Sequence, residues 1–440
     1  MSHKPYTPRG LPVPSGRLSR LARMGGLAAG LAGNMALTGG RQLAGGQRPS
    51  ARDLFMTPSN AARLTGELAK MRGAAMKVGQ MLSMEAADLM PPEFADILAS
   101  LRSDAHYMPP KQLKAVLIDG LGADFMTRFK RFDVQPLAAA SIGQVHRATT
   151  VDGRDIALKV QYPGVRDSID SDMRNVGALI RMSGMMPKGL DIAPMLEEAR
   201  QQLHQEADYK REAEFLSRFH ALLAGEDAFI VPELQDDILC DTILGMRYVK
   251  ADPIEALADA DQDTRDHVAT TLIKLVLREL FEFGMMQTDP NFANYRYDRA
   301  QRKIVLLDFG ATRVFAPEMA GQYRALLRAG MAADRTATRD ALIEIGMYDD
   351  SIPAHHETLL LDLFDMAMTP LRSTEVYDFG RTDLLGQLRD AGMDMADDRS
   401  YVPLPPVDTL FLQRKIGGMY LLATRLRARV DMHLLLSAYL

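Results

Sequence analysis

The stretch from residue 136 to residue 161 constrains the fold of this chain more than any other. It reads PLAAASIGQVHRATTVDGRDIALKVQ, and two runs with the composition of β-strands, GQVHRATT and DIALKVQ, flank VDGR. The Asp152-Gly153 dipeptide is a strong signal for a tight hairpin turn, because glycine adopts the positive φ that such turns require. We therefore predict an antiparallel hairpin preceded by an alanine-rich loop, residues 138–143.

The alanine-rich loop matches a phosphate-binding template incompletely. Residues 138–145 align with G-x-G-x-x-G-x-V, the nucleotide loop of protein kinases, but only the third glycine, Gly143, is present. Glycine lets a backbone approach phosphates with positive φ, where alanine has a steric cost. We therefore expect a loop that lies further from the phosphates, or that holds them in another geometry. The candidate nucleotide-binding residues of this segment are Ala138, Ala139, Ala140, Ser141, Gly143 and Val145.

A lysine follows the loop at the spacing that a nucleotide site requires. Lys159 lies fourteen residues after Val145 in the sequence IALK, which matches the V-A-I-K strand whose lysine holds the α- and β-phosphates. Such a lysine needs a carboxylate partner. We predict a long helix over roughly residues 193–223, and its segment HQEADYKREAEF offers Glu206, Asp208 and Glu212. Glu206 and Glu212 lie about 120° apart around a helix axis, so both cannot serve one partner equally.

Two later segments carry the residues expected to bind a metal ion and to act on the phosphoryl group. In MMQTDPNFANYRYD, Asp289 and Asn294 stand five apart, as in the kinase catalytic loop H-R-D-L-x-x-x-N. Asp289 would orient or deprotonate an attacking hydroxyl or water, and Asn294 would hold a metal ion. Fourteen residues later, IVLLDFGATR places Asp308 after an apolar strand, where a Mg²⁺-binding aspartate is expected.

The order of these segments predicts the fold class. Apolar residues recur at steps of three and four from residue 60 to residue 90, which indicates a long amphipathic helix, and the pattern after residue 317 is almost entirely helical. We predict an α+β, two-lobed protein-kinase-like fold with a helical N-terminal extension and a mostly helical C-terminal lobe. The predicted divisions are a basic leader, 1–52; the helical extension, 53–125; an N-lobe, 126–250; and a C-lobe, 251–440.

Charge and cysteine content exclude several classes of function. The net charge of -5 gives no indication of a nucleic-acid partner, and the single cysteine, Cys240, excludes an internal disulfide framework and a cysteine-rich zinc site.

Residues 1–52 form a basic leader, with eight Lys or Arg and no Asp or Glu. This leader is too rich in Gly and Ala to span a membrane. A flexible tail, contact with an anionic membrane surface and an organellar presequence all fit it.

With these segments in place, the chain resembles the UbiB/AarF family of atypical protein-kinase-like enzymes. The resemblance runs from about Arg17 to the C-terminal stretch FLQRKIGGMYLLATRLRARV. Its most specific mark is Lys77-Val78-Gly79-Gln80, the K-x-G-Q of this family, followed by AAASIGQVH and by Glu206-Ala207-Asp208, the family's E-x-D.

The resemblance implies roles for residues that spacing alone leaves open. It implies a helical extension over the nucleotide cleft, with Lys77 and Gln80 facing the active site and with Glu206 and Asp208 engaging the extension. Glu212 is then left to pair with Lys159. Met246 and Tyr248, in the β-rich sequence CDTILGMRYV, are expected to contribute to the nucleotide site.

The resemblance also implies an activity and a location. Members of the family bind ATP or ADP with Mg²⁺, act as ATPases or unorthodox kinases, and support the biosynthesis of ubiquinone and other isoprenoid lipids. The expected partners are an adenine nucleotide, a lipid or quinone precursor, quinone-biosynthesis proteins and an anionic membrane surface, with no nucleic acid. We expect a cytoplasmic protein peripherally associated with a membrane, or a mitochondrial one if the source is eukaryotic. Phosphorylation of polypeptides is disfavoured, because the extension occupies the place where a peptide would dock.

The chain departs from the family at one segment. The family reads close to H-x-D-P-H-P-G-N, whereas residues 287–294 read QTDPNFAN, so that only the central Asp and Asn and the first Pro are retained. Retention of Asp289, Asn294 and Asp308 favours an active enzyme. The altered neighbours favour a pseudokinase-like module that binds nucleotide without turnover. A small-molecule kinase is a third reading, but it does not explain the K-x-G-Q motif or the alanine-rich loop.

Overall fold

The computed structural model describes residues 72–85, 107–183, 192–397 and 405–440. These residues divide into two compact units. The first unit comprises the described residues of Met1–Glu214 and Glu233–Tyr248, and the second comprises those of Phe215–Pro232 and Val249–Leu440. The basic leader, 1–52, and both ends of the helix predicted from residue 60 to residue 90 lie outside the described residues.

The first unit is built on an antiparallel sheet of five strands. Its main path runs in the order β1, β3, β4, β6, and β2 pairs with β3. The predicted hairpin is present as β3 and β4, and Gly153 in its turn has a φ of 92°. The strands are β1 (Phe129–Phe132), β2 (Ala138–Ala139), β3 (Gly143–Thr150), β4 (Asp155–Gln161) and β6 (Ile243–Arg247).

The helix α2 (Pro110–Leu121) packs against this sheet. It begins with Pro110 at its first position and buries Leu113 and Leu117 in one cluster with Ile156 and Leu158 of β4. The helix α1 (Arg72–Glu85) packs on α3 (Val165–Ser183) and α4 (Ala193–Glu206).

The long helix predicted over residues 193–223 is two helices. The helix α4 ends at Glu206, and α5 (Tyr209–Leu222) begins three residues later. Gln161 of β4 donates its side-chain amide to the carbonyl of Ala207 at 2.7 Å, and Asp208 accepts from the backbone N–H of Arg211 at 3.1 Å. The first bond comes from a strand distant in sequence, so the helical pattern of residues 193–223 carries no signal of it. The break sets Glu206 and Glu212 on different helices.

Two hydrogen-bonded loops of the second unit join strands that carry the predicted site residues. The strand β8 (Met285–Gln287) pairs with β11 (Thr312–Val314), and β9 (Tyr295–Asp298) pairs with β10 (Lys303–Leu306). The Asp289 loop, residues 288–294, joins β8 to β9, and residues 307–311 join β10 to β11. Backbone hydrogen bonds link the two loops, from Thr288 to Ala311 at 3.2 Å and from Leu307 to Asn294 at 3.1 Å. The sheet containing β9 and β10 also includes β5 (Phe229–Ile230) and β7 (Asp252–Pro253).

The remainder of the second unit is mostly helical, as predicted. The helix α6 is capped by Asp261, whose carboxylate accepts from the N–H of Thr264 at 2.8 Å, and it continues as a π-helix, Glu279–Phe283, that ends at Gly284 with φ 61°. The helices are α6 (Gln262–Arg278), α7 (Pro317–Met331), α8 (Arg335–Ile345), α9 (Ala354–Arg372), α10 (Leu384–Asp397), α11 (Val407–Leu426) and α12 (Met432–Ser437). The short strands β12 (Tyr377–Asp378) and β13 (Arg429–Val430) pair beside them. Sheets and helices together confirm the α+β class.

Membrane-spanning potential can be judged for the described ranges alone. Within them, no helix has both the length and the apolar character that crossing a bilayer requires.

Gly143 lies where the first sheet leaves no room for a side chain. A Cβ at this position would lie 2.4 Å from the carbonyl oxygen of Val160 and 3.1 Å from the hydroxyl oxygen of Tyr209. Its φ is outside the positive region. Close packing against β4 and α5, and not backbone conformation, therefore requires glycine here.

We expect Gly143→Ala to lower the free energy of unfolding by about 1–3 kcal/mol, because the backbone of Val160 must shift to admit the methyl group. Denaturant titration of wild type and variant measures the change. Gly225→Ala is the control, since a Cβ at Gly225 would meet no atom within 4 Å. It should change stability by less than about 0.5 kcal/mol. Equal losses in the two variants would contradict the packing argument.

Candidate functional site

Lys159 and Glu212 form a buried ion pair in the first unit. The ammonium group of Lys159 donates to both carboxylate oxygens of Glu212 at 2.9 Å. The side chains are 12% and 1% exposed, and the ring of Tyr209 lies 5.4 Å from the lysine nitrogen. The strand β4 supplies the lysine and the first turn of α5 supplies the glutamate. A buried ion pair contributes little net stability, and the expected contact of Lys159 with a nucleotide stays a prediction.

Glu206 connects the extension helix to the alanine-rich loop. One carboxylate oxygen accepts from the ammonium of Lys77 at 2.5 Å, and the other accepts from the hydroxyl of Ser141 at 3.0 Å. Lys77 is only 1% exposed, so it is not a solvated surface lysine. The carboxylate therefore fixes the positions of α1 and of the loop relative to each other within the first unit.

Asp208 of the E-x-D motif and Gln80 of the K-x-G-Q motif have fewer described contacts than Glu206 and Lys77. Asp208 accepts from the N–H of Arg211 and so caps α5. Its expected engagement of the extension stays a prediction. Gln80 belongs to α1, but its side chain lies outside the described residues.

The alanine-rich loop begins as a strand and bends at residues 141 and 142. Ala138 and Ala139 form β2 and pair with Val145 and Gln144, and the N–H of Ala140 donates to the carbonyl of Gly143 at 2.8 Å. None of the residues 138–145 has a positive φ. Alanine therefore meets no positive-φ cost in this loop, and the expected position of the loop relative to the phosphates stays a prediction.

Met246 and Tyr248 lie at the end of β6. Met246 is 7% exposed and pairs with Ala157 of β4. The ring of Tyr248 lies 4.3 Å from the guanidinium carbon of Arg147. Contact of either residue with a nucleotide stays a prediction.

In the second unit, the Asp289 loop brings the predicted aspartate and asparagine together. The side-chain amide of Asn294 donates to one carboxylate oxygen of Asp289 at 3.2 Å. This bond uses the amide nitrogen of Asn294 and leaves its amide oxygen as the atom able to contact a cation. The other carboxylate oxygen of Asp289 is buried without a hydrogen bond and lies 3.7 Å from the guanidinium of Arg414.

Asp308 stands on the neighbouring loop. One of its carboxylate oxygens accepts from the N–H of Gly310 at 3.0 Å. Among the residues that the structure describes, no group of three or more His, Cys, Asp or Glu side chains is placed to hold a metal. Mg²⁺ bound with a nucleotide uses one or two carboxylates together with phosphate oxygens and water. The oxygen atoms of Asp308 and Asn294 fit such an ion.

Sequence reasoning missed a buried cluster around Lys415 of α11. Its ammonium donates to the hydroxyl of Tyr295 at 2.7 Å and to the side-chain oxygen of Gln287 at 3.2 Å, and it lies 3.7 Å from Glu279. Lys415 and Glu279 are each 1% exposed. The signal was present in FLQRKIGG, because adjacent charges in an otherwise apolar helix need buried partners.

Burial and charge act in opposition within this cluster. Burial raises the pKa of Glu279, and the nearby ammonium of Lys415 opposes part of that rise. Burial would lower the pKa of Lys415, but Glu279 and Tyr295 more than offset it, so the pKa is raised. Burial also raises the pKa of the Tyr295 phenol. Lys415 therefore stays charged at neutral pH.

Comparison with known proteins gives a consistent picture. A model of the ABC1 atypical kinase-like domain matches residues 100–342. The chain is 37% identical over 424 residues to the mitochondrial atypical kinase COQ8 of Saccharomyces cerevisiae, covering 95% of this chain and 83% of the yeast protein. It is 37% identical over 424 residues to the mitochondrial atypical kinase COQ8B of Rattus norvegicus, covering 95% and 79%.

A solved structure supports the fold. Rv3197 of Mycobacterium tuberculosis, determined with erythromycin, aligns with a TM-score of 0.60 and 24% identity, covering 86% of this chain and 94% of that chain. At this identity the likeness concerns the fold alone. Together with the domain match, it confirms the predicted kinase-like α+β fold.

We expect Ser141→Ala to loosen the alanine-rich loop, because it removes the hydroxyl that donates to Glu206. Amide hydrogen exchange at residues 140–143 should become about tenfold faster, as expected for the loss of a hydrogen bond to a charged group. Ser171→Ala is the control, since the Ser171 hydroxyl bonds the Ser168 carbonyl within α3. Wild-type exchange in the Ser141 variant would show that the hydroxyl does not hold the loop.

Proposed function

Because the chain belongs to the ABC1, or UbiB/AarF, family of atypical kinase-like proteins, we propose that it binds ATP or ADP with Mg²⁺ and acts as an ATPase or atypical kinase. The buried Lys159–Glu212 pair carries this proposal. An ammonium held by two hydrogen bonds in a largely buried position is arranged for phosphate contact, and Glu212 directs it.

Each candidate residue has a proposed part in the reaction. Lys159 would contact the α- and β-phosphates, and Asp308 and Asn294 would hold Mg²⁺, whose charge offsets that of the phosphates. Asp289 would accept the proton of an attacking water or hydroxyl group. The oxygen of that water or hydroxyl group would bond to the γ-phosphorus at the same time. The bond from that phosphorus to the bridging oxygen breaks, and ADP leaves with the electron pair.

The altered Asp289 loop still favours turnover over a pseudokinase. Gln287 is buried and accepts from Lys415, and the side chain of Asn291 accepts from the N–H of Ala293 at 3.1 Å. The replacement at residue 287 therefore bonds a side chain of α11, the replacement at residue 291 bonds backbone within the loop, and neither changes Asp289, Asn294 or Asp308. A small-molecule kinase is the weaker alternative, because it gives no account of the buried Lys77–Glu206 pair.

We expect Asp308→Asn to weaken ATP binding at least tenfold more in Mg²⁺ than in EDTA, because the change removes one ligand charge from the cation and not from the nucleotide. Calorimetric titration in the two buffers measures this difference. Asp298→Asn is the control, since the Asp298 carboxylate accepts backbone N–H groups within a turn after β9. An equal loss of affinity with and without Mg²⁺ would remove the metal role from Asp308.

We further propose that the protein supports isoprenoid-quinone biosynthesis and binds an apolar precursor. The supporting observation is a cavity of about 750 Å³ in the second unit, lined almost entirely by apolar side chains of its helices. This volume falls within the range of small-molecule sites. Its lining includes Val276, Leu326, Phe364, Leu388, Leu412 and Met419.

We expect Ala367→Phe to weaken binding of a short-chain isoprenoid benzoquinone at least tenfold, because the ring fills part of the cavity that Ala367 lines. Nucleotide affinity should stay unchanged. Ala325→Phe, on the exposed side of α7, should bind the quinone like wild type. Calorimetry with both ligands measures the effect, and equal quinone affinity in all three proteins would contradict binding at this cavity.

Location and other partners follow from sequence and relatives. We propose that the basic leader, residues 1–52, contacts an anionic membrane surface and that the protein is peripherally associated with it. The yeast and rat relatives are named mitochondrial, and we propose the same location for this chain if its source is eukaryotic. Association with quinone-biosynthesis proteins belongs to the same proposal.

A further inference from the structure

The buried ammonium of Lys415 holds the Asp289 loop at both ends. It bonds Gln287, which immediately precedes the loop, and Tyr295, which immediately follows it. A single cation 1% exposed therefore fixes the separation of the two strand ends that carry Asp289 and Asn294. A backbone held at both ends has fewer ways to redirect the side chains between them.

Glu279 completes this attachment from the other side. One of its carboxylate oxygens accepts from the backbone N–H of Gln287 at 3.2 Å, and the other lies 3.7 Å from the Lys415 nitrogen. It opens the π-helix that ends α6, and π-helical turns frequently occur at functional sites. A fully buried ion pair is a poor source of stability but a strict constraint on geometry.

The backbone of α11 reaches the loop directly at Gly418. A Cβ there would lie 2.2 Å from the Cβ of Pro290, the residue after Asp289. Helix and proline ring are therefore in contact with no space for a methyl group. One turn earlier, the guanidinium of Arg414, 9% exposed, lies 3.7 Å from the Asp289 carboxylate.

We propose that residues 414–418 of α11 are a positioning segment that sets the direction of the Asp289 carboxylate. Lys415 fixes the ends of the loop, Gly418 fixes Pro290, and Arg414 supplies the charge facing Asp289. Lys415 and Gly418 act on the reaction only through the loop, so they are positioning residues. The inference rests on the proposed function in one respect, since the phosphoryl reaction is what gives Asp289 its task.

Adjacent glycines in α11 provide a matched test. Gly418→Ala introduces the methyl group that Pro290 excludes, whereas a Cβ at Gly417 would meet no atom within 4 Å. Both changes give the same gain in helix propensity. Exchange at residues 287–295 should become about tenfold faster in Gly418→Ala. The kcat for ATP hydrolysis should fall on the order of tenfold to a hundredfold at little change in KM, as expected for a small misplacement. Gly417→Ala should match wild type in both.

A second variant keeps the test decisive if Gly418→Ala does not fold. Lys415→Met with Glu279→Gln replaces the ion pair by neutral side chains of similar size, so neither charge is left buried alone. We expect faster exchange at residues 287–295 and a lower kcat here too, with melting like that of wild type. A double variant with wild-type exchange and kcat would overturn the role of Lys415, and a folded Gly418→Ala that matches Gly417→Ala would overturn that of Gly418.

Exchange measurements separate this inference from the proposed function. If the wild-type protein hydrolyses no ATP, the proposed activity fails, but the exchange comparison still decides whether the segment holds the loop. If the wild-type protein hydrolyses ATP and all variants have the same amide exchange rates and the same kcat, the proposed positioning role is wrong and the proposed function stands.

Discussion

An ammonium group removed from water needs a carboxylate within contact distance, and three lysines in the part of the chain that the structure describes are buried or nearly buried in that way. Lys77 pairs with Glu206, Lys159 with Glu212 and Lys415 with Glu279. Removing one partner of such a pair costs about 3–5 kcal/mol, because the remaining charge stays buried. Each pair joins elements that are distant in sequence. Within each unit, these pairs therefore help to place the extension helix, the alanine-rich loop and the Asp289 loop, in addition to the apolar packing.

Local pattern predicted the parts of the site that depend on neighbours in sequence. The Asp152-Gly153 turn, the strand carrying Lys159 and the loops carrying Asp289 and Asp308 all follow from strand composition and turn residues. The break after Glu206 does not, because a side chain of β4 forty-six residues away holds the carbonyl of Ala207. The sequence did not predict the cluster at Lys415 for the same reason, since 128 residues separate Lys415 from Gln287. Contacts between residues so far apart in the sequence produce no periodic pattern from which they could be predicted.

Glycine at residue 143 can be explained in two ways, by close approach of the backbone to a ligand or by close packing within the protein. The phosphate-loop template assigns its glycines to close approach of backbone and ligand. In this chain the only glycine that fits the template is required because the carbonyl of Val160 lies 2.4 Å from where a Cβ would be. Of the alanines before it, Ala138 and Ala139 are in a strand, and none of the three has a positive φ. The position of the loop therefore depends less on its alanines than on Ser141, whose hydroxyl joins it to Glu206.

The departure at residue 287 acquires a physical meaning from the same reasoning. Two residues before Asp289, the side chain is 5% exposed and its oxygen accepts from Lys415, while its backbone N–H donates to Glu279. The backbone bond is available to any residue but proline, and the side-chain bond requires only an acceptor. Glutamine supplies one, so the replacement of the family's histidine preserves the attachment to α11. The side-chain nitrogen of Gln287 is buried without a hydrogen bond, so the side chain is satisfied at its oxygen and not at its nitrogen. The change at residue 287 leaves the side chains of Asp289 and Asn294 as the family has them.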